Sequence, residues 1–395
     1  MGDAPYLAAT ESSQMKEGET KPRILMVTRN FPPLTGGMER LMQHTAEGIS
    51  CYADLTIIGP TGCRAYAPPK STVHEVPFGL LPFLTIGSMI AARTCLRKNF
   101  DLAIGGSGLA APTLWILKGL FKLRTAVFIH GLDIVVNNFI YQRAFIPAVR
   151  AADLLIANSQ STKALAIERG VAERKITVIH PGTTLPELSS LPPDADFCSR
   201  HRIQDKRVVL FTGRITRRKG LSQFITRSLP AIVQAHPDTV LLVVGDSPDQ
   251  SLNRNGETEH VNKALEESGL GKNVLFLGKV GDRELTAAYA AADVQVLPLV
   301  EVPGDIEGFG MVAIEAAALG TPTVAFSLGG VTDAISPGNG RLVPEGRYDL
   351  FSSAVCELFN DSTITAESCR KHASDFSWKI VSARLKEVLA QTMDD

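Results

Sequence analysis

The sequence predicts an α/β protein built as two doubly wound domains. Three observations carry that reading. Short apolar runs recur along the 395 residues, and they are continuous rather than alternating, as strands buried on both faces of a parallel sheet are. Helical patterns separate them, for example GMERLMQHTAEGIS and RELTAAYAAAD. The alternation runs through two halves, and a chain of this length is long for one core.

Residues 1–22 are polar, lack an apolar signal core and read as a disordered leader. The first domain spans 23–190, with strand runs ILMVT (24–28), LTIIG (55–59), LAIGG (102–106), TAVFIH (125–130), LLIANS (154–159) and ITVIHPG (176–182). A Pro-rich stretch at 183–198 is the expected hinge. The second domain, 200–376, carries VVLFTG (208–213), VLLVVGD (240–246), VLFLG (274–278), VQVLPL (294–299) and PTVAF (322–326). The last segment, 377–395, is an amphipathic helix with Ile380, Val381, Leu385, Val388 and Leu389 on one face; it has a side to bury and either domain, the first included, could receive it.

Bulk composition narrows the function classes. A net charge of −1 argues against nucleic acid as a partner for the whole chain. The charge is uneven: residues 60–150 hold ten Lys/Arg against three Asp/Glu, which fits either an anionic partner surface or a solvated basic face. The six cysteines are scattered without metal-ligand spacing, so thiols in a reducing, cytoplasmic setting are expected. The apolar stretch 76–92 falls short of the about 20 residues a span needs and is interrupted by Pro77, Gly79, Pro82 and Gly87, so no membrane crossing is expected.

Candidate chemistry collects where strands end, which is where ligands bind in open α/β sheets. DIEGFGMVAIEAAALGTP follows a buried strand and places Glu307 in a glycine-containing loop and Glu315 two turns into the next helix. Carboxylates there suit sugar or ribose hydroxyls, and amides at the helix start suit an anion. GRITRRKG, after Gly213, offers Arg214 and Lys219 as a clamp for a diphosphate, one a planar fork and the other a point charge. Arg217 and Arg218, between them, fit solvated side chains equally well. After the first strand, Gly36 and Gly37 open a helix and read either as a diphosphate cradle or as a tight turn. His130 ends a strand in TAVFIHGLD. Gly329 and Gly330 in SLGGVTD are either turn residues or a close backbone approach to a ligand. Across a cleft, these groups fit a nucleotide diphosphate sugar.

TGGMER, HGLD, GRITRRKG and EGFGMVAIEAAALGTPTVA together resemble the retaining glycosyltransferases of the GT-B fold, family-4 type, over roughly residues 23–390. Within that group the similarity points to bacterial enzymes that move mannose from GDP-mannose onto phosphoinositide or polysaccharide acceptors. The resemblance implies that Arg214 and Lys219 hold the donor diphosphate, beside Gly213, and that Glu315 binds ribose. Glu307 and the amides of Gly308, Phe309, Gly310, Met311 and Val312 would hold the transferred sugar. Gly37, next to Gly36, would touch the distal phosphate, His130 would lie beside the anomeric carbon, and Lys279 and Val280 would border the base. SLGGVTD departs from the family pattern, which has a glutamate where Asp333 stands, and no role is drawn from Asp333.

The resemblance further implies transfer with attack and departure on one face of the sugar, without a protein nucleophile, metal or cofactor. Acceptors of this fold sit against the first domain, where apolar residues alternate with Arg93, Arg97, Lys98, Lys118, Lys122 and Arg124. A lipid-linked or glycan acceptor, reached by transient contact with an anionic membrane on its inner face, is therefore expected; a buried helix with basic ends is the other reading. A sugar-nucleotide-binding protein and a sugar-nucleotide epimerase are alternatives on the same two-domain scaffold.

Overall fold

A computed structural model describes residues 21–136, 138–187, 194–246, 256–360 and 363–394. Residues 1–20 of the expected leader and 188–193 of the expected hinge lie outside the described residues.

The first domain folds around strands β1 (Arg23–Val27), β2 (Asp54–Pro60), β3 (Thr72–Val76), β4 (Leu102–Gly105), β5 (Arg124–Ile129), β6 (Leu154–Ala157) and β7 (Ile176–Val178). They form one parallel sheet in the order β3-β2-β1-β4-β5-β6-β7. The second is built on β8 (Arg207–Thr212), β9 (Thr239–Val244), β10 (Val274–Gly278), β11 (Val294–Leu297), β12 (Thr323–Phe326) and β13 (Gly340–Val343). Its order is β10-β9-β8-β11-β12-β13, again parallel throughout. The central strands are mostly apolar and, beyond first residues such as Arg23 and Arg207, buried, because helices cover both faces. This is the expected pair of Rossmann-like domains.

Strand order reverses between β1 and β4 in one sheet and between β8 and β11 in the other. At such a point the connections beyond the strands diverge to opposite sides of the sheet and leave a crevice. The two crevices face each other.

The chain passes between the domains twice, and the two crossings touch. Thr183 N–H donates to the Phe376 carbonyl at 2.8 Å, and Thr183 bridges Ser377. Gly182 lies against the Trp378 indole so closely that a Cβ would enter the ring. Beyond that point the helix Trp378–Asp394 returns to the first domain. Its Leu385 and Leu389 join the core beneath β1 and β2, and Trp378 stacks on His44 with ring centroids 4.3 Å apart. Each leucine buried this way contributes roughly 2 kcal/mol.

One expectation is corrected. Pro82 and Gly87 do not interrupt the apolar stretch; Leu80–Arg97 is one helical segment with a π-turn over Phe83–Gly87. Pro82 falls in the first turn, where a missing N–H removes no internal bond. By length and composition alone this helix could cross a membrane. Its buried residues, Phe83, Gly87, Ala91 and Cys95, recur every fourth position and three of them enter the first domain's core, while Leu81, Met89 and Leu96 face outward. The helix is thus docked along one side.

Candidate active site

The densest ionic cluster in the cleft stands on the loops after β8 and β11. After β8 the chain makes a short 3-10 turn, Arg217–Lys219, and reverses at Gly220 with φ 68°, packed onto the Pro298 carbonyl so that no Cβ would fit. Val300 N–H donates to the Arg218 carbonyl at 2.9 Å and ties the two loops together. That folding points Arg218 and Lys219 inward. Lys219 Nζ lies 2.7 Å from Glu307 Oε2, and Arg218 Nη1 donates to the same oxygen. Arg218 Nε donates to Asp305 Oδ1 at 3.0 Å.

Burial works against each of these charges. At Glu307 it raises the carboxyl's pKa, but Lys219 and Arg218 more than offset it and the carboxyl falls to about 2. At Arg218 burial is likewise outweighed by Glu307 and Asp305, which raise its pKa. Lys219 is lowered, by burial first, and by Arg218 and Arg214 against the pull of Glu307. The cluster therefore holds two cations and two carboxylates, of which Glu307 is the more enclosed, with 14% of its side chain exposed. Arg214, the other expected clamp residue, stands exposed at the rim. The reading that left Arg218 in solvent is corrected: Asp305 and Glu307, 87 and 89 residues away, draw it into the site.

Glu315 sits on the helix Met311–Leu319, which starts at Gly310 in the left-handed region (φ 85°). It lies about one turn in, not two, because Glu307–Gly310 remain loop. Tyr289 O–H donates to Glu315 Oε2 at 3.0 Å, and Arg40 Nη1, from the first domain, donates to Oε1 at 3.2 Å.

The first domain supplies His130. Its ring is buried and Nε2 is 2.8 Å from the Gly106 carbonyl, so Nε2 carries the hydrogen and Nδ1 is left as an acceptor. Asp133 of the same HGLD run holds this corner by accepting from the amides of His130 (2.8 Å) and Gly108 (2.9 Å). Gly308 packs directly on the His130 carbonyl, where a side chain would not fit, and Gly131 meets Ile306 from the other direction. His130 and Glu307 are thereby brought to one seam. Beside them Asn158 is buried and its Oδ1 has no hydrogen-bond partner.

The remaining expected residues fall around this seam. A Cβ on Gly37 would stand 3.0 Å from Met311 Sδ, across the cleft, whereas the space over Gly36 is filled by the Glu39 carboxylate of its own helix. Gly213 has φ 124° and precedes the cation loop. Phe309 is buried and stacks on His180 (5.2 Å), while Val312 packs with Phe309 in the apolar layer behind the loop. Lys279 is exposed and Val280 half-buried at the end of β10. Gly329 and Gly330 prove to be packing positions: Gly330 N–H donates to the Glu307 carbonyl at 2.9 Å and both glycines abut the 307–308 backbone. Asp333 spans the domains, accepting from Gln160 N–H at 2.7 Å and lying 3.0 Å from His180 Nε2.

Known proteins resemble this chain along nearly its whole length. The Glycosyltransferase Family 4 model matches residues 35–185 and the Glycosyl transferases group 1 model residues 206–361. A Corynebacterium glutamicum protein named GDP-mannose-dependent monoacylated alpha-(1-6)-phosphatidylinositol monomannoside mannosyltransferase is 31% identical over 390 residues, covering 93% of this chain and 97% of its own. A D-inositol 3-phosphate glycosyltransferase of Corynebacterium urealyticum is 28% identical over 416 residues, covering 93% and 95%. Among solved structures, Anabaena Alr3699/HepE in complex with UDP matches with a TM-score of 0.75 at 21% identity, over 93% of this chain and 100% of that one. Sucrose-phosphate synthase from Thermosynechococcus elongatus matches with a TM-score of 0.75 at 22% identity, over 94% and 99%. The structural likenesses show the fold, the two models divide the chain at its hinge, and the 31% relative spans it: the chain belongs to the family-4 type of GT-B glycosyltransferases and forms a hexosyltransferase.

Proposed function

We propose that the chain transfers mannose from GDP-mannose, with retention, to a lipid-linked or polysaccharide acceptor of the cell envelope. The observation that carries the reading is the buried Lys219–Glu307–Arg218 cluster facing His130 across the seam. The 31% relative named for GDP-mannose supports the donor.

In this scheme the donor diphosphate lies on Lys219 and Arg214, with Arg218 behind them. The sugar's hydroxyls meet Glu307 and the Gly308–Val312 amides, the ribose meets Glu315, and the base lies by Lys279 and Val280. The Gly37 amide closes on the distal phosphate. The bond from the anomeric carbon to the diphosphate oxygen breaks, a bond to the acceptor oxygen forms on the same face, and the acceptor's proton passes to the departing phosphate. His130 Nδ1 accepts a sugar hydroxyl beside the reacting carbon. Preorganised cations stabilise the charge growing on the leaving group, worth about 3–4 kcal/mol of barrier per group. The scheme calls for no metal and no cofactor.

The acceptor side rests on the first domain's surface. Leu81 is 72% and Leu96 76% exposed, and Trp115 and Leu120 stand out from the adjoining helix Ala111–Phe121. Next to Leu96, a cavity of about 320 Å³ is lined by His74, Arg93, Arg97 and Lys98. Apolar side chains among cations suit the anionic inner leaflet of a membrane, which supports a cytoplasmic enzyme in peripheral contact with it.

A thermal-shift screen of GDP-, UDP- and ADP-sugars followed by product analysis tests the reading. GDP-mannose should raise the melting temperature most. Incubation with a phosphoinositide acceptor should give an α-linked mannoside. A larger shift with another sugar nucleotide overturns the donor, and a β-linked product overturns retention.

A further inference from the structure

Beneath Glu315 a line of polar side chains runs through the interior of the second sheet. Thr323 Oγ1 donates to Gln295 Oε1 at 3.3 Å, and Gln295 Nε2 donates to Thr212 Oγ1 at 2.7 Å. Thr212 Oγ1 lies 3.2 Å from Tyr289 Oη, whose hydrogen goes to Glu315 Oε2 at 3.0 Å. Tyr289 has one hydrogen, and it is spent on the carboxylate, so Thr212 must be the donor to Tyr289. Every hydrogen in the line then points the same way, and the line ends on Glu315. All four supporting residues are at most 2% exposed, in an otherwise apolar layer. Buried polar groups of this kind are expensive unless each is satisfied, and here each is satisfied in one direction only.

The two oxygens of Glu315 are thus held differently. Oε2 is fixed from inside the sheet. Oε1 faces the cleft and, among the described residues, meets only Arg40, half exposed on the opposite domain. We propose that Tyr289 is a positioning residue for donor binding: as the last donor of a directed chain it locks the Glu315 carboxylate so that Oε1 faces the ribose diol. This rests on the assignment of Glu315 to ribose made above. Burial, the largest cause, and Glu315 raise the Tyr289 hydroxyl's pKa well above its ordinary value, so it stays a donor at every working pH.

The test compares Tyr289→Phe and Thr212→Val with wild type, using the tighter-binding of GDP and UDP and its 2′,3′-dideoxy counterpart. Tyr289→Phe keeps the ring and removes only the hydroxyl. Loss of one hydrogen bond to a charged group should weaken the ribonucleotide by about tenfold. The dideoxy nucleotide should bind both forms alike, and the donor KM should rise while kcat stays within about twofold. Thr212→Val should show the same pattern, smaller. Equal loss on both nucleotides, or none on either, overturns the positioning role. Glu315→Ala separates the two claims: if it too shows no ribose-dependent loss, the ribose assignment itself fails, whereas a ribose-dependent loss there without one in Tyr289→Phe sinks only the inference.

Discussion

In the first domain the segments beyond the strands bring His130, the helix start at Gly37 and Arg40 to the cleft; in the second they bring Arg218 and Lys219, the carboxylates of Asp305, Glu307 and Glu315, and a polar chain behind the last. The sheets have the same parallel architecture and the same kind of switch point. What differs is where each spends its polar groups. The second domain buries charge, which costs desolvation and is sustained only by mutual pairing. The first keeps Arg93, Arg97 and Lys122 exposed on its surface, beside exposed leucines, and presents shape to the cleft through Gly37, Gly131 and the His130 carbonyl. Under the proposed function, one half would hold the compact, highly charged donor, and the other would close over it and meet a broader acceptor.

The largest effect that would break this contrast is on turnover. Lys219→Ala should lower transfer by about a hundredfold or more, in line with removal of one preorganised charge. Its melting temperature should fall less than that of Glu307→Ala, because Arg218 and Glu307 still pair. Glu307→Ala leaves buried Lys219 without its carboxylate and Arg218 with Asp305 alone, a defect of roughly 3–5 kcal/mol. Turnover near wild type in Lys219→Ala, followed by a donor-coupled assay, would remove the second domain from its role.

A pH titration sharpens the same point. The Glu307 carboxyl drops from 4.5 to about 2 on folding. A depressed carboxyl stabilises fully above its unfolded value and loses that contribution as pH falls through the folded one. Unfolding free energies of wild type and Glu307→Gln from urea titrations should therefore differ most at neutral pH, by an amount on the order of 3 kcal/mol, and converge between pH 4.5 and 2. A gap that persists unchanged at pH 3 contradicts an ion-paired Glu307.

The first domain's outer face gives a smaller effect. Replacing Leu81, Met89 and Leu96 together by Ser should weaken binding to anionic vesicles by about tenfold and leave soluble-donor hydrolysis unchanged. Smaller still is Arg40→Ala. Its ion pair with Glu315 is half exposed, worth about 0–1 kcal/mol, and it occupies the oxygen that the ribose needs. Calorimetry should find the nucleotide bound up to a few-fold more tightly.

The same contrast governs what the sequence alone could reveal. Strands buried on both faces announce themselves as apolar runs, so the central strands of both sheets were legible. The edge strands β3 (TVHEV) and β13 (GRLV) were not, because each mixes in charged side chains, which a strand with one neighbour tolerates; the other two edges, β7 and β10, are apolar enough to read. Lys219, Glu307 and His130 could be picked out because each lies at or beyond a strand end, next to glycine, and Glu315 because it lies on the helix that opens after Gly310. Arg218 could not, since its burial depends on Asp305 and Glu307 on another loop. Tyr289 and Thr212 were hidden for the same reason: each occupies a position that periodicity assigns to packing, and only the docking of the helix Asp282–Ala290 on the sheet brings the Tyr289 hydroxyl to Thr212 at the end of β8. The helix Leu80–Arg97 shows the opposite error, where proline and glycine suggested breaks that a π-turn and a first-turn position absorb.

A crystal structure with the unhydrolysed donor GDP-mannose bears most directly on the account. The diphosphate should lie within hydrogen-bond distance of Lys219 Nζ, with the ribose on Glu315 and the hexose between Glu307 and His130. A diphosphate bound away from Lys219, with the Lys219–Glu307–Arg218 cluster left as it is here, would contradict it.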